Sequence, residues 1–185
     1  MTIKTTNCSD LQKWEFSGIV FIFVIGSFLH FVYDLSGELF IFAIIGAVNE
    51  SVWEHLKLGF WPAFFYSLIQ LKFIKNLNIK SFIIAKASSM YIIPITIIIL
   101  FYSWEGTTGI HFLLIDLIIF LIAVSLGQLI SYQLMIRKNY PKNAYMFGFT
   151  SIVFLIVVFT IFTFFPPNVP IFQESTGNNM QLLRF

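Results

Sequence analysis

Asn49-Glu50-Ser51-Val52-Trp53-Glu54-His55-Leu56-Lys57 puts two carboxylates, an imidazole, an amide and an ammonium into nine residues. Leu39 to Ala47 before it is almost wholly apolar, and Leu58 to Leu71 after it is mostly so. Hydropathy reads the whole segment as membrane, where ionisable side chains are costly and mark functional sites. The stretch thus carries two readings: lipid surrounds the chain, and its polar chemistry gathers where the second hydrophobic segment is interrupted.

Composition supports the first reading. Of 185 residues, 58% are hydrophobic, 11% are charged and 24 are Phe, with mean hydropathy +0.85. This lies far outside the range of a soluble domain. Apolar runs leave no stretch long enough for a separate soluble domain. We therefore expect one integral domain over residues 1–185 in the cell membrane, with a cytoplasmic N-terminus (1–13) and an external tail (166–185). A net charge of +2 spread over a few loops excludes nucleic acid as a partner. Cys8, the single cysteine, excludes an internal disulfide. Lys4 and Lys13 precede an apolar run with no Ala-x-Ala-like cleavage site, so that run reads as a retained helix.

The first span is expected over about Glu15 to Tyr33, with Phe23, Gly26, Ser27, His30 and Asp34 along one helical stripe. Small and polar residues together mark a face turned towards other helices. Asp34-Leu35-Ser36-Gly37-Glu38 reads as a turn, with Glu38 suited to the first turn of the next helix. Leu39 to Leu71 poses a geometric problem, because one straight helix of that length would run about 50 Å across a core of about 30 Å. Lys72, Lys75 and Lys80 in one loop, and Arg137, Lys138 and Lys142 in another, place those loops in the cytoplasm. The segment must then cross once, either as an interrupted helix or as a short re-entrant piece followed by a full span.

A third span is expected over Ser81 to Tyr102 and a turn at Trp104-Glu105-Gly106-Thr107-Thr108-Gly109. Lys86 lies about 9 Å inside that span by helical rise. It either snorkels to the headgroups or pairs with an intramembrane carboxylate. The fourth span runs to about Ile136 with Asp116, Ala123, Gly127 and Ser131 on one stripe, and His111 about 140° from Asp116. The fifth, Ala144 to Phe165, reads as a lipid-facing wall, and Pro166-Pro167 stops it ahead of an extended strap or lid. The fold class is all-α: a polytopic membrane helix bundle of about five spans plus a broken or re-entrant second segment.

His30, His55, His111 and Asp116 can all reach the outer half of such a bundle, with Glu50 near the membrane centre, or shallower if its segment re-enters. His30 with Asp34, and Glu50 with Glu54, stand at i, i+4, which on a helix puts each pair on one face. Imidazole and carboxylate ligands from different helices suit Zn, Fe or Mn, and an open coordination position activates water. The spacing contains no His-Glu-x-x-His signature. Candidate metal ligands are His30, Asp34, His55 and His111, and candidate acid–base residues are Glu50, Glu54 and Asp116. The structural alternative is that Asn49 and Ser51 cap a helix whose first turn holds a Glu54–Lys57 salt bridge.

The Asn49–Lys57 stretch, Leu29-His30-Phe31-Val32-Tyr33-Asp34 and Pro166-Pro167-Asn168-Val169-Pro170-Ile171-Phe172 resemble an uncharacterised family of small multi-pass prokaryotic membrane proteins. Its members share a histidine-bearing first helix, an Asn-Glu-Ser-x-Trp-Glu-His box and a double-proline tail. The resemblance spans nearly the whole chain and implies a membrane location without an activity. Three functional readings follow: a metal-dependent or acid–base membrane enzyme acting on a lipid-soluble substrate, a small-solute or proton-coupled transporter, and a non-catalytic assembly subunit.

Overall fold

The computed structural model describes residues 8–137, 140–141 and 143–174. The N-terminal residues with Lys4, the loop lysines Lys138 and Lys142, and tail residues 175–185 lie outside the described residues. Among those described, the chain forms α1 (Cys8–Leu35), α2 (Phe40–Ile45), α3 (Val52–Phe73), α4 (Ile79–Thr108), α5 (Leu113–Ile136), α6 (Ala144–Phe164) and a 3-10 turn, η1 (Pro170–Phe172). The architecture is an all-helical bundle. Helices α1, α4, α5 and α6 are long and apolar enough to cross a membrane. Helix α3, with 22 residues, matches them in length at about 33 Å but carries Glu54, Lys57 and Lys72.

The hydrophobic segment from Leu39 to Leu71 breaks into a short piece and a full-length helix. Gly46 ends α2 in an extended conformation, its N–H donating to Phe42 O at 2.8 Å. Asn49 Oδ1 then accepts from Ser51 N at 3.0 Å, closing a local turn. Ser51 is the N-cap of α3, its hydroxyl accepting from Glu54 N at 3.4 Å. Side chains of the central motif thus make the break themselves.

Helices α1 and α3 run antiparallel. Gly18 meets Tyr66, Gly26 meets the Leu58 carbonyl, and His30 meets His55. Helix α5 packs antiparallel on the same side of α1, with Gly18 near Gln128 and Phe120 over Gly26. Helices α4 and α5 share the most extensive interface, where Gly127 admits Ser89 and Ile93. Helix α6 covers α4, with Gly148 against the backbone of Ile83 and Ile84. In lipid such small residues let helices approach closely enough for dispersion forces to hold them. Ile22, Phe60, Ile93 and Val124 fill the middle layer with 0% exposure.

Several boundaries differ from those expected. Helix α1 extends to Cys8 because Leu11 and Glu15 continue its buried stripe of Gly18, Ile22, Gly26 and Leu29. The turn expected at Trp104 begins only at Gly109, which takes φ +64° and caps α4 in the left-handed region. Glu38 lies in the turn before α2, with φ +63° and its N–H donating to Tyr33 O, and takes no part in a helix. The stripe of small and polar residues on α1 also divides. Gly26 is buried, while Asp34 is exposed.

A Cβ at Gly26 would press on the Leu58 carbonyl, which belongs to the helix backbone and cannot swing away. At Gly18 the obstacle is the end of the flexible Gln128 side chain and the Tyr66 ring. Gly26→Ala is therefore expected to cost about 1–3 kcal/mol by overpacking, and Gly18→Ala less. Unfolding in detergent–denaturant mixtures compares the two.

Candidate metal-binding site

Three side chains meet at the end of the bundle where α1 finishes and α3 begins. His30 Nε2 lies 3.2 Å from His55 Nε2, and Glu50 Oε2 lies 3.5 Å from each of them. One ligand comes from α1, one from α3 and one from the turn between α2 and α3. Among the described residues this is a group that could hold a metal ion. A tetrahedral zinc ion with bonds of about 2.0–2.1 Å spaces its donor atoms about 3.3–3.4 Å apart. The observed triangle is close to that size. The side chains are part-exposed, Glu50 most at 63%, so the group opens at the bundle surface.

The tautomer of His55 follows from its other nitrogen. Nδ1–H donates to the Ser51 carbonyl at 2.8 Å, leaving the Nε2 lone pair directed at His30 and Glu50. A backbone carbonyl in this position orients metal-binding imidazoles and raises their basicity. When the imidazoles take up a second proton, the hydrogen bond from His55 Nε2–H pulls the Glu50 carboxyl below its ordinary value, against the opposing effect of burial, with the positive field of His30 and His55 adding to it. Glu50 therefore stays ionised through the usual glutamate range, and its favourable contacts are lost only as the pH falls below that range.

The other carboxylate of the motif has a different task. Glu54 Oε2 accepts from Lys57 Nζ at 2.6 Å and from Val48 N at 3.0 Å. Lys57 Nζ donates further to Ala43 O at 2.8 Å and to Thr163 Oγ1 at 2.9 Å. Both side chains are almost wholly buried. The salt bridge anticipated between them is present, but in the interior. It ties α2, the Glu50 turn and the end of α6 to α3. Glu50 and Glu54 share no helical face, because Glu50 precedes the first residue of α3.

The C-terminal segment closes over the same turn. Phe172 lies against Trp53 and Phe162, and Glu174 forms an antiparallel bridge with Ser51. Ser51 thus caps α3, holds His55 and pairs with the tail. Where the sequence predicts an extended strap after the double proline, the described part of the tail, to Glu174, includes the 3-10 turn η1.

The remaining candidates lie around this group. His111 precedes α5 and pairs with Glu105 on α4, Nε2 to Oε1 at 3.0 Å. It is brought together with Glu105 and Phe101 rather than with His30. Asp116, in the first turn of α5, is half-buried and interacts electrostatically with both His111 and His55. Asp34 is exposed beyond His30 and does not join the triangle.

A second ionic group lies at the opposite, lysine-rich end. Glu15 accepts from Lys86 Nζ at 2.6 and 2.8 Å and from Gln70 Nε2 at 2.7 Å. All three residues are at most 3% exposed. Lys86 therefore does not snorkel: its partner is an intramembrane carboxylate. Glu15 was legible only as the start of a span, although it sits three residues before Gly18 and seven before Ile22 on the buried stripe. Removing one member of such a pair leaves an uncompensated buried charge. Lys86→Met alone is expected to cost about 3–5 kcal/mol and Glu15→Met/Lys86→Met considerably less, as read from unfolding in mixed micelles.

No curated protein and no solved structure matches the chain. A model of the family of unknown function DUF6512 matches residues 2–181, and the chain belongs to that family.

Proposed function

We propose that the protein is a membrane-embedded, metal-dependent enzyme in which His30, His55 and Glu50 hold one divalent ion, best zinc. The observation that carries this reading is the triangle of His30 Nε2, His55 Nε2 and Glu50 Oε2, with His55 already oriented through Nδ1. Two imidazoles and one carboxylate form a ligand set used by catalytic zinc, in which water takes the fourth position and its pKa falls towards 7. Fe or Mn are the alternatives for this donor set.

Asp116 is the proposed acid–base residue, since it interacts electrostatically with His55 from a third helix. Glu54 would not react, because Lys57 and Val48 N already engage it. It would position the turn that carries Glu50. The proposed substrate is lipid-soluble. The group opens at one end of a bundle whose outer surface is apolar, with Phe28, Phe31, Leu35 and Leu114 exposed. An amphiphile lying along that surface would bring its polar end to the group.

The second reading is a proton-coupled carrier, and the observation in its favour is the buried Glu15–Lys86 pair. Against it stands the middle layer of Ile22, Phe60, Ile93 and Val124, which separates that pair from the histidines. A non-catalytic assembly subunit would need no metal.

The enzyme reading predicts about one equivalent of zinc per chain in purified protein. His30→Ala and His55→Ala should each weaken zinc binding by at least about tenfold, as outer partners alone contribute 10–100-fold. His111→Ala should leave affinity unchanged. Binding should decline as the pH falls through about 6.5, where imidazoles take up protons in competition with the metal. Isothermal titration with a competing chelator measures each. Wild-type affinity in either the His30 or the His55 variant would exclude the site, and pH-gradient-driven flux in liposomes without metal would favour the carrier.

A further inference from the structure

At the lysine-rich end, the start of α4, Tyr140 and Pro141 after α5, and the start of α6 line an open cavity of about 130 Å³. One water needs only about 10–15 Å³ of such space, so a larger polar group fits. Asn78, Lys80, Ser81, Tyr140 and Tyr145 contribute to its lining, and no carboxylate does among the described residues.

The donors that this lining offers come from Asn78 and Lys80, because the Tyr140 hydroxyl already donates to Leu134 O at 2.7 Å. Asn78 Oδ1 accepts from Lys80 N at 3.1 Å and Ser81 N at 3.3 Å as the cap of α4. The Asn78 amide NH₂, with two donors, is therefore left for a ligand. Lys80 is exposed, and its ammonium sits 5.3 Å from the centre of the Tyr145 ring. Ser81 Oγ donates to Arg137 O at 3.3 Å, and the Arg137 guanidinium lies 5.6 Å from the Tyr140 ring centre. One cation, Lys80, thus lines the cavity, and a second, Arg137, stands on the ring of Tyr140, which also lines it. Such a cavity selects an anion.

The surroundings define what carries that anion. Ile79, Ile136, Met146 and Phe147 are exposed beside the cavity, and Phe147 is 77% accessible. These residues belong to helices α4, α5 and α6, each apolar and long enough to cross a membrane. A group bound here would have its charge beside Lys80 and Asn78 and its body against greasy helix ends. We propose that this cavity is a binding site for the phosphate headgroup of an acidic phospholipid. Basic side chains at the end of a membrane helix attract anionic lipids in general. The cavity adds a defined position for one headgroup.

Full-length protein in detergent, titrated with phosphatidylglycerol or phosphatidylcholine and observed by native mass spectrometry, tests this. Wild type should retain phosphatidylglycerol about tenfold better than phosphatidylcholine. Lys80→Gln and Asn78→Asp should each reduce phosphatidylglycerol to the phosphatidylcholine level. Aspartate caps a helix as well as asparagine, so Asn78→Asp replaces donors by a carboxylate without removing the cap. Lys72→Gln, which removes the same charge from the end of α3, should retain the lipid. Equal losses in the Lys72 and Lys80 variants, or full retention in Asn78→Asp, would overturn the site. Displacement of phosphatidylglycerol by millimolar inorganic phosphate would overturn its assignment to lipid.

Discussion

Gly26 lets α1 lie directly against the backbone of α3 at Leu58, and the register set there propagates to both ends of the two helices. Four residues further along α1, His30 meets His55. Eleven residues back, Glu15 meets Gln70. Two polar groups at opposite ends of a greasy bundle are therefore aligned by one small residue. A bulkier residue at this crossing would displace the imidazoles from one another as well as loosen the packing.

The polar groups also show how a low-dielectric interior treats charge. Among the described residues the two deeply buried cations each have a carboxylate: Lys57 has Glu54, with Ala43 O and Thr163 beside it, while Lys86 has Glu15, itself shared with Gln70. Burial of a single member would be prohibitive, and pairing reduces the desolvation cost without eliminating it. The two ion pairs are best understood as fasteners. The His30–Glu50–His55 group differs, because it brings three ligand atoms together at the surface without a protein cation among them. That contrast distinguishes a group suited to an added ion from groups that are already neutralised.

The short second helix follows the same logic. A turn carrying Glu50 needs its backbone groups satisfied, and Asn49, Ser51 and Glu54 satisfy them locally through Ser51 N, Glu54 N and Val48 N. The tail then reaches Ser51 and seats Phe172 on Trp53. Residues distant along the chain thereby hold a turn that would otherwise have only the six residues of α2 on one side.

Composition and hydropathy were enough to determine an all-helical chain made for lipid, because the cost of exposing peptide groups to hydrocarbon leaves few architectures. The interruption near Asn49 was legible from its caps, and the last helix from Ala144 to the double proline was legible from its breaker. Pairings were not. Sequence spacing makes Glu50 and Glu54 neighbours on a helix, yet the helix starts between them. Glu15 looked like the mere beginning of a span, and His111 looked as ready as His55 to join His30. Those choices belong to the tertiary structure, since the partner of a buried or half-buried charge is decided by helix register and close approach, quantities that no single segment contains.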